Sequence, residues 1–154
     1  MAVELPVGFH RFSRIGFINY QLNRWYSLGH TRLVDIEAAG RQIRTVEDNK
    51  RVFTALAADA VREGRLRNAA FYYRAAEFLT DPDDPDKRSL YASFADAFAR
   101  GFADEGIERS LVPYGEGFLP VLKLPAVGLP PCATTVPRRS PTAGSFRTGR
   151  KPSP

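Results

Sequence analysis

The apolar residues of this chain keep a helical period as far as Gly106, alternate from Ile107 to Leu124, and lose all period after Ala126. That succession constrains the fold more than any single motif, because a 3.6-residue and a 2-residue period cannot share one element. It predicts a mainly α fold class: a bundle of about five helices followed by a β-hairpin.

The helices can be placed from their stripes and stops. Ile18, Leu22, Trp25 and Tyr26 share one face and predict a helix over residues 15–28, with Gly29 suited to a left-handed cap. A short helix over 33–39 is expected to stop at Gly40. Thr45 is a candidate N-cap for the third helix, with Glu47 and Asp48 in its first turn and Phe53, Leu56, Ala57, Ala60 and Val61 on its buried face. Gly64 marks its end. The fourth helix, 66–79, is apolar on nearly every side and is expected to lie buried between neighbours. Asp84 is expected to cap a fifth helix that starts at Pro85, carries Leu90, Phe94, Ala97, Phe98 and Phe102 on its stripe, and ends before Gly106. Two alternating runs, 107–112 and 118–124, flank a turn at 113–117 and predict the hairpin. Pro120 cannot donate to a ladder, which makes its strand an edge or a bulged one. An isolated hairpin is marginal in water, so this one is expected to lean on more sheet or on the helices.

Charge divides the chain at the same place. Of 22 Lys and Arg, only Arg138, Arg139, Arg147, Arg150 and Lys151 follow residue 126, and none of the 17 Asp and Glu do. Residues 1–126 therefore carry 17 charges of each sign, and the net +5 belongs to the tail. Six of the 12 prolines also lie in 127–154. A tail so poor in apolar residues is expected to be disordered, and any nucleic-acid binding through it to be non-specific and salt-sensitive. Three segments result: a helical domain over 1–106, a hairpin over 107–126, and a Pro/Arg-rich tail over 127–154.

Other classes are excluded more simply. Cys132 is the single cysteine, which leaves no disulfide framework and no cysteine-based zinc site. No run of 18 apolar residues occurs, so no membrane partner is expected. The first residues lack a basic start followed by an apolar core, and a cytoplasmic location is the expectation.

Three stretches carry a resemblance: NYQLNRWYSLG (19–29), EGRLRNAAFYYRAAEFLTDPDDPDK (63–87) and GIERSLVPYGEGFLPVLKLP (106–125). In this order and spacing, over about Gly8 to Ala126, the chain resembles the N-terminal part of a group of bacterial α/β-hydrolases that includes 2,6-dihydroxypseudooxynicotine hydrolase and similar esterase-like proteins. The resemblance implies that the helices form a cap over an active site and contribute to dimer contacts. It also implies that 107–124 opens the central sheet, and that a small-molecule substrate belongs to full-length relatives. Chemistry in such enzymes comes later, from a His-Gly oxyanion turn, a G-x-S-x-G elbow, and the acid and histidine of the triad. This chain has no G-x-S-x-G and no His-Gly; the nearest look-alike, Thr142 to Phe146, lacks both glycines in register. The acid-free run LPPCATTVPRRSPTAG stands where the family has a hydrophobic strand, and it has the composition of GC-rich DNA read out of frame. The expectation is a truncated or frameshifted hydrolase-like product that is catalytically inert, with no catalytic, cofactor-binding or metal-ligating residue and with self-association or a homodimer through the cap.

The remaining constellations favour structural roles. Asp81, Asp83, Asp84 and Asp86 are spaced like a calcium loop, but counted from Asp81 the sixth and twelfth positions are Asp86 and Ala92 instead of Gly and Glu. His30 stands near a helix end and His10 in GFHRF; neither can be paired with a nucleophile and an orienting acid. Cys132 reads as an incidental thiol. Trp25, Phe71, Tyr72 and Tyr73 read as core more than as pocket lining. Asn19, Asn23 and Arg24 are the polar helix positions most worth testing at a cap. A rival reading starts from Ala69-x3-Tyr73-x2-Ala76 with Pro82 beyond, which fits the second helix of a tetratricopeptide repeat and points to a free-standing protein-interaction module.

Overall fold

The computed structural model describes residues 5–125. Five helices, α1 (Gly16–Ser27), α2 (Leu33–Gln42), α3 (Val46–Arg62), α4 (Leu66–Phe78) and α5 (Lys87–Gly101), are followed by a single 3-10 turn (Ala103–Glu105). Two antiparallel strands then form a hairpin, β1 (Glu108–Tyr114) and β2 (Gly117–Lys123). The mainly helical bundle with a trailing hairpin is thus the fold. The expected disorder of 127–154, and Cys132 with it, lie outside the described residues. None of the described helices is long and apolar enough to cross a membrane.

The core centres on α4, which packs against α3 on one side and α5 on the other. Ala69, Ala70, Ala75 and Ala76 are completely buried, so the neighbouring helices can come close, and the buried Tyr72 ring packs beside Phe53 of α3. The three helices run antiparallel. Asn49, at the start of α3, donates from Nδ2 to the Ala75 carbonyl near the end of α4 at 2.9 Å. At the other contact the two ends close each other. Lys87, first in α5, donates from Nζ to the carbonyls of Glu77 and Thr80, both at 2.9 Å, where α4 finishes. Arg67, near the start of α4, donates from Nε to the Gly101 carbonyl at 2.7 Å, where α5 finishes. Each cation thus satisfies otherwise unpaired carbonyls at the negative end of a helix dipole.

Local signals account for most boundaries. Thr45 Oγ1 accepts from the Asp48 N–H, and the Asp48 carboxylate accepts from the Thr45 N–H, a complete capping box. Gly29, Gly64 and Gly106 all have positive φ just beyond helix ends. Three expectations need correction. Helix α2 runs through Gly40 to Gln42, because Gly40 serves a close approach: a Cβ there would lie 2.1 Å from the Phe12 carbonyl oxygen. Helix α5 starts at Lys87, not Pro85, and Asp86 is its N-cap. Asp84 closes a turn instead, its Oδ1 accepting from the Asp86 N–H at 2.8 Å. Val61 is 37% exposed, while Val52 and Asn49 are on the buried face of α3.

The hairpin turn is also tighter than the five-residue loop expected. Tyr114 pairs with Gly117, which leaves Gly115 and Glu116 as a two-residue turn. Gly115 has φ +57° and Glu116 a negative φ, the signs of a type II′ turn. Pro113 thereby joins β1. Glu108 and Lys123 pair across the open end at 3.0 Å.

The Phe12 contact gives a test. In urea denaturation, Gly40→Ala is expected to cost about 1–3 kcal/mol, because the new methyl meets main chain and not a flexible side chain. Gly16→Ala, where a Cβ would meet nothing within 4 Å, is expected to change stability by less than about 0.5 kcal/mol.

Candidate functional site: an apolar groove between the last helix and the hairpin

The polar and aromatic residues singled out in the sequence are drawn into packing. Asn19 and Asn23 bind the segment that precedes α1. Asn23 Oδ1 accepts from the His10 N–H at 2.7 Å and its Nδ2 donates to the His10 carbonyl at 2.8 Å, while Asn19 Oδ1 accepts from the Ser13 N–H at 3.0 Å. The His10 ring stacks on Phe12 at 5.0 Å and meets Tyr26 edge-on. Arg24 lies 4.8 Å over the Phe78 ring, which in turn meets Trp25 edge-on. Tyr72 is core, as expected; Tyr73 and Phe71 are partly buried against it.

Tyr72 also carries a part-buried polar contact between helices. Its hydroxyl donates to Asp35 Oδ2 at 2.7 Å and accepts from the Arg32 N–H at 3.1 Å, which ties α2 to α4. Arg65 Nη1 stands 3.5 Å from the same carboxylate oxygen. Burial pushes the phenol above its ordinary pKa, and the Asp35 carboxylate adds to that shift. Tyr72 is thus a protonated donor, not a proton acceptor.

Three of the four aspartates of 81–86 likewise engage their carboxylates. Lys50 Nζ donates to Asp84 at 2.8 Å and to Asp86 at 2.9 Å, and Asp81 accepts from the Asp83 N–H at 2.9 Å. Asp84 and Asp86 thereby fasten the α4–α5 connection to α3. Among the described residues, no three His, Cys, Asp or Glu side chains are grouped so as to hold a metal ion.

What packing leaves open is the space between α5 and the hairpin. A groove of about 510 Å³ lies there. Tyr91, Phe94, Ala95 and Phe98 recur at helical spacing on its α5 wall. Arg109, Leu111, Pro120 and Leu122 form the opposite wall, and the strand register places all four on one face of the hairpin. Leu111 is 67% exposed and Phe118 is 65%. The other face carries Val112, Tyr114, Leu119 and Val121, all of them exposed as well. Both faces of this hairpin are therefore apolar and uncovered among the described residues, the composition of a strand pair made to be buried on two sides. A second concavity, lined by Arg11, Arg14, Arg41 and Arg44, answers to no motif in the sequence.

His30 sits apart from both. Its ring stacks on Phe71 at 4.5 Å and meets Phe102 edge-on at 5.3 Å. Burial holds its pKa below the usual 6.5, the Arg67 guanidinium lowers it further, and Glu105 opposes them. The unfolded chain then takes up a proton at higher pH than the folded one. Stability from this site is complete above pH 6.5 and is lost as pH falls through the lower folded-state value. Denaturation midpoints are expected to drop between pH 7.5 and 5.5, and His30→Phe, which keeps the ring stack, is expected to reduce that drop.

Comparison with protein-family models, with curated proteins and with solved structures finds no match for this chain.

Proposed function

We propose that this chain is a cap segment and opening hairpin of the α/β-hydrolase type, a scaffold that is catalytically inert by itself. The observation that supports this reading is the hairpin: two strands with apolar residues on both faces suit the start of a larger sheet, where layers on either side cover them. The placement of the histidines agrees with it. His10 and His30 both lie against aromatic rings, in packing positions. The small-molecule substrate belongs, on this reading, to full-length relatives.

Two experiments test it. Purified protein is expected to hydrolyse p-nitrophenyl acetate no faster than a heat-treated control; a rate well above that control overturns the proposal of inertness. The coding DNA beyond codon 128, translated in all three forward frames, is expected to yield a hydrophobic strand, a His-Gly turn and a G-x-S-x-G elbow. Three frames without them remove the hydrolase reading.

The uncovered hairpin also supports self-association, by the same burial of exposed apolar surface. In size-exclusion chromatography with light scattering, the protein is expected to exceed the monomer mass of 17.2 kDa. Leu111→Lys with Phe118→Lys is expected to shift it toward the monomer; a wild-type monomer at high concentration counts against the idea.

A second reading, a free-standing interaction module, has one observation in its favour. The α3–α4 pair is a helical hairpin whose Ala69 and Ala76 are fully buried, as a tetratricopeptide unit requires. Recovery of a specific partner, lost on mutation of the partly exposed Tyr73, would favour it over the scaffold.

A further inference from the structure

Arginines in the described part of this protein are mostly neutralised. Arg51, Arg62, Arg65, Arg67, Arg74 and Arg100 each face a carboxylate on their own or a neighbouring element. Arg32 stands beside Asp35 and Glu63, and Arg24 covers Phe78. Arg88 and Arg109 have no ion pair among the described residues. Four others, Arg11, Arg14, Arg41 and Arg44, line one cleft of about 970 Å³, and none of them has an ion pair among the described residues.

The cleft has two basic walls. Arg11 and Arg14 come from the segment before α1, and Arg41 and Arg44 from the end of α2. The walls are locked together by the contact between Phe12 and Gly40, which also belong to the lining. Among the described residues, the acids beside them do not neutralise them. Glu37 shares an adjoining groove with Arg11 and Arg41 but pairs with neither. The Asp48 carboxylate is taken by the Arg51 guanidinium and by the N–H groups of Arg44 and Thr45. Four like charges facing one space repel each other, and an anion that binds there removes that cost. The planar guanidinium fork matches phosphate oxygens in paired hydrogen bonds. Ile15, the N-cap of α1, lines the same cleft and puts no side-chain cap on the first N–H groups of that helix, which adds donors of the same kind.

We propose that this cleft binds a small anion carrying two or more phosphate groups. Four guanidinium forks outnumber the paired oxygens that one phosphate offers, whereas a polyphosphate chain supplies more of them. The proposal is independent of the hydrolase reading, since it uses neither the hairpin nor any residue of the apolar groove.

Calorimetric titration of the full chain with inorganic tripolyphosphate tests it. Binding is expected to weaken about tenfold or more in an Arg14→Gln/Arg41→Gln double variant. An Arg88→Gln/Arg109→Gln variant, equal in charge, is expected to bind as the wild type does. All four side chains are exposed, and circular dichroism checks that both variants remain folded. Absence of binding overturns the proposal, and so does equal weakening in both variants, which marks a general charge effect. A third variant, with the five basic residues of 138–151 changed to Gln, covers the tail. If that variant loses binding and the cleft variant keeps it, the anion sits on the tail and the proposal fails. Binding of single-stranded RNA through Arg14 and Arg41 with none of tripolyphosphate also overturns it, in favour of a macromolecular ligand.

Discussion

Everything described in this protein is arranged around the burial of α4. A helix enclosed on two sides meets two requirements that a surface helix avoids. Its side chains must be small where its neighbours cross, and its terminal carbonyls must find donors without help from bulk water. The alanines at 69, 70, 75 and 76 meet the first. Lys87 meets the second from the start of α5, and Arg67 returns the service to α5 from the start of α4. The two contacts are a pair: each fixes where one helix ends against where the other begins, so the register of α4 against α5 is set at both extremities. Gly101 belongs to the same device, since a Cβ there would lie 2.9 Å from the Arg67 backbone nitrogen. Tyr72 then extends the arrangement outward, with its hydroxyl holding Asp35 and the Arg32 N–H so that α2 is carried on α4.

The parts legible in the sequence are those determined by neighbours a few residues apart. The Thr45 capping box, the glycines after α1 and α3, the stripes of α1 and α5, and the switch to alternation at Ile107 are all local. Where distant segments decide the outcome, the reading failed. Gly40 reads as a stop in isolation, yet it is a helix interior position kept free of a side chain for Phe12, which is 28 positions earlier. Asp84 and Pro85 have the composition of a cap and a first turn, but Lys50 on α3 holds Asp84 and Asp86 together and the helix begins after them. Asn19 and Asn23 stand out as polar residues on an otherwise apolar helix; their partner is the main chain of residues 10–13, which no periodicity announces.

Net charge illustrates the same limit. Residues 1–126 sum to zero, and a sum of zero says nothing about pairing. Folding matches most arginines to carboxylates, and it gathers Arg11, Arg14, Arg41 and Arg44 around one cleft although the two pairs are about 30 positions apart. A neutral domain can therefore present a concentrated positive site. The signal was present in the sequence only as two Arg-x-x-Arg spacings, a pattern too common to separate from an ordinary solvated helix surface.

The hairpin brings the argument to its edges. A two-residue turn makes Tyr114 and Gly117 a hydrogen-bonded pair, and the bonding then alternates along an antiparallel ladder. Pro113 opposite Phe118, and Leu111 opposite Pro120, fall on the non-bonded positions, where the backbone N–H of each residue points away from its partner strand. Both prolines therefore sit where the missing donor costs the hairpin nothing and removes a donor from its outer edge. Pro113 lies beside the turn and leaves β1 the outward donors of Arg109 and Leu111 for a further strand, whereas Pro120 interrupts the edge of β2 at its middle. The faces are not blunted at all: Leu111, Phe118 and Leu122 on one and Tyr114 and Leu119 on the other remain exposed. Covering its apolar residues is therefore a matter of layers packed on the faces, while the edge of β1 stays open to a further strand. The groove against α5 is the start of one such layer, with Phe94 and Phe98 on its helical wall and Leu111 and Leu122 on its strand wall.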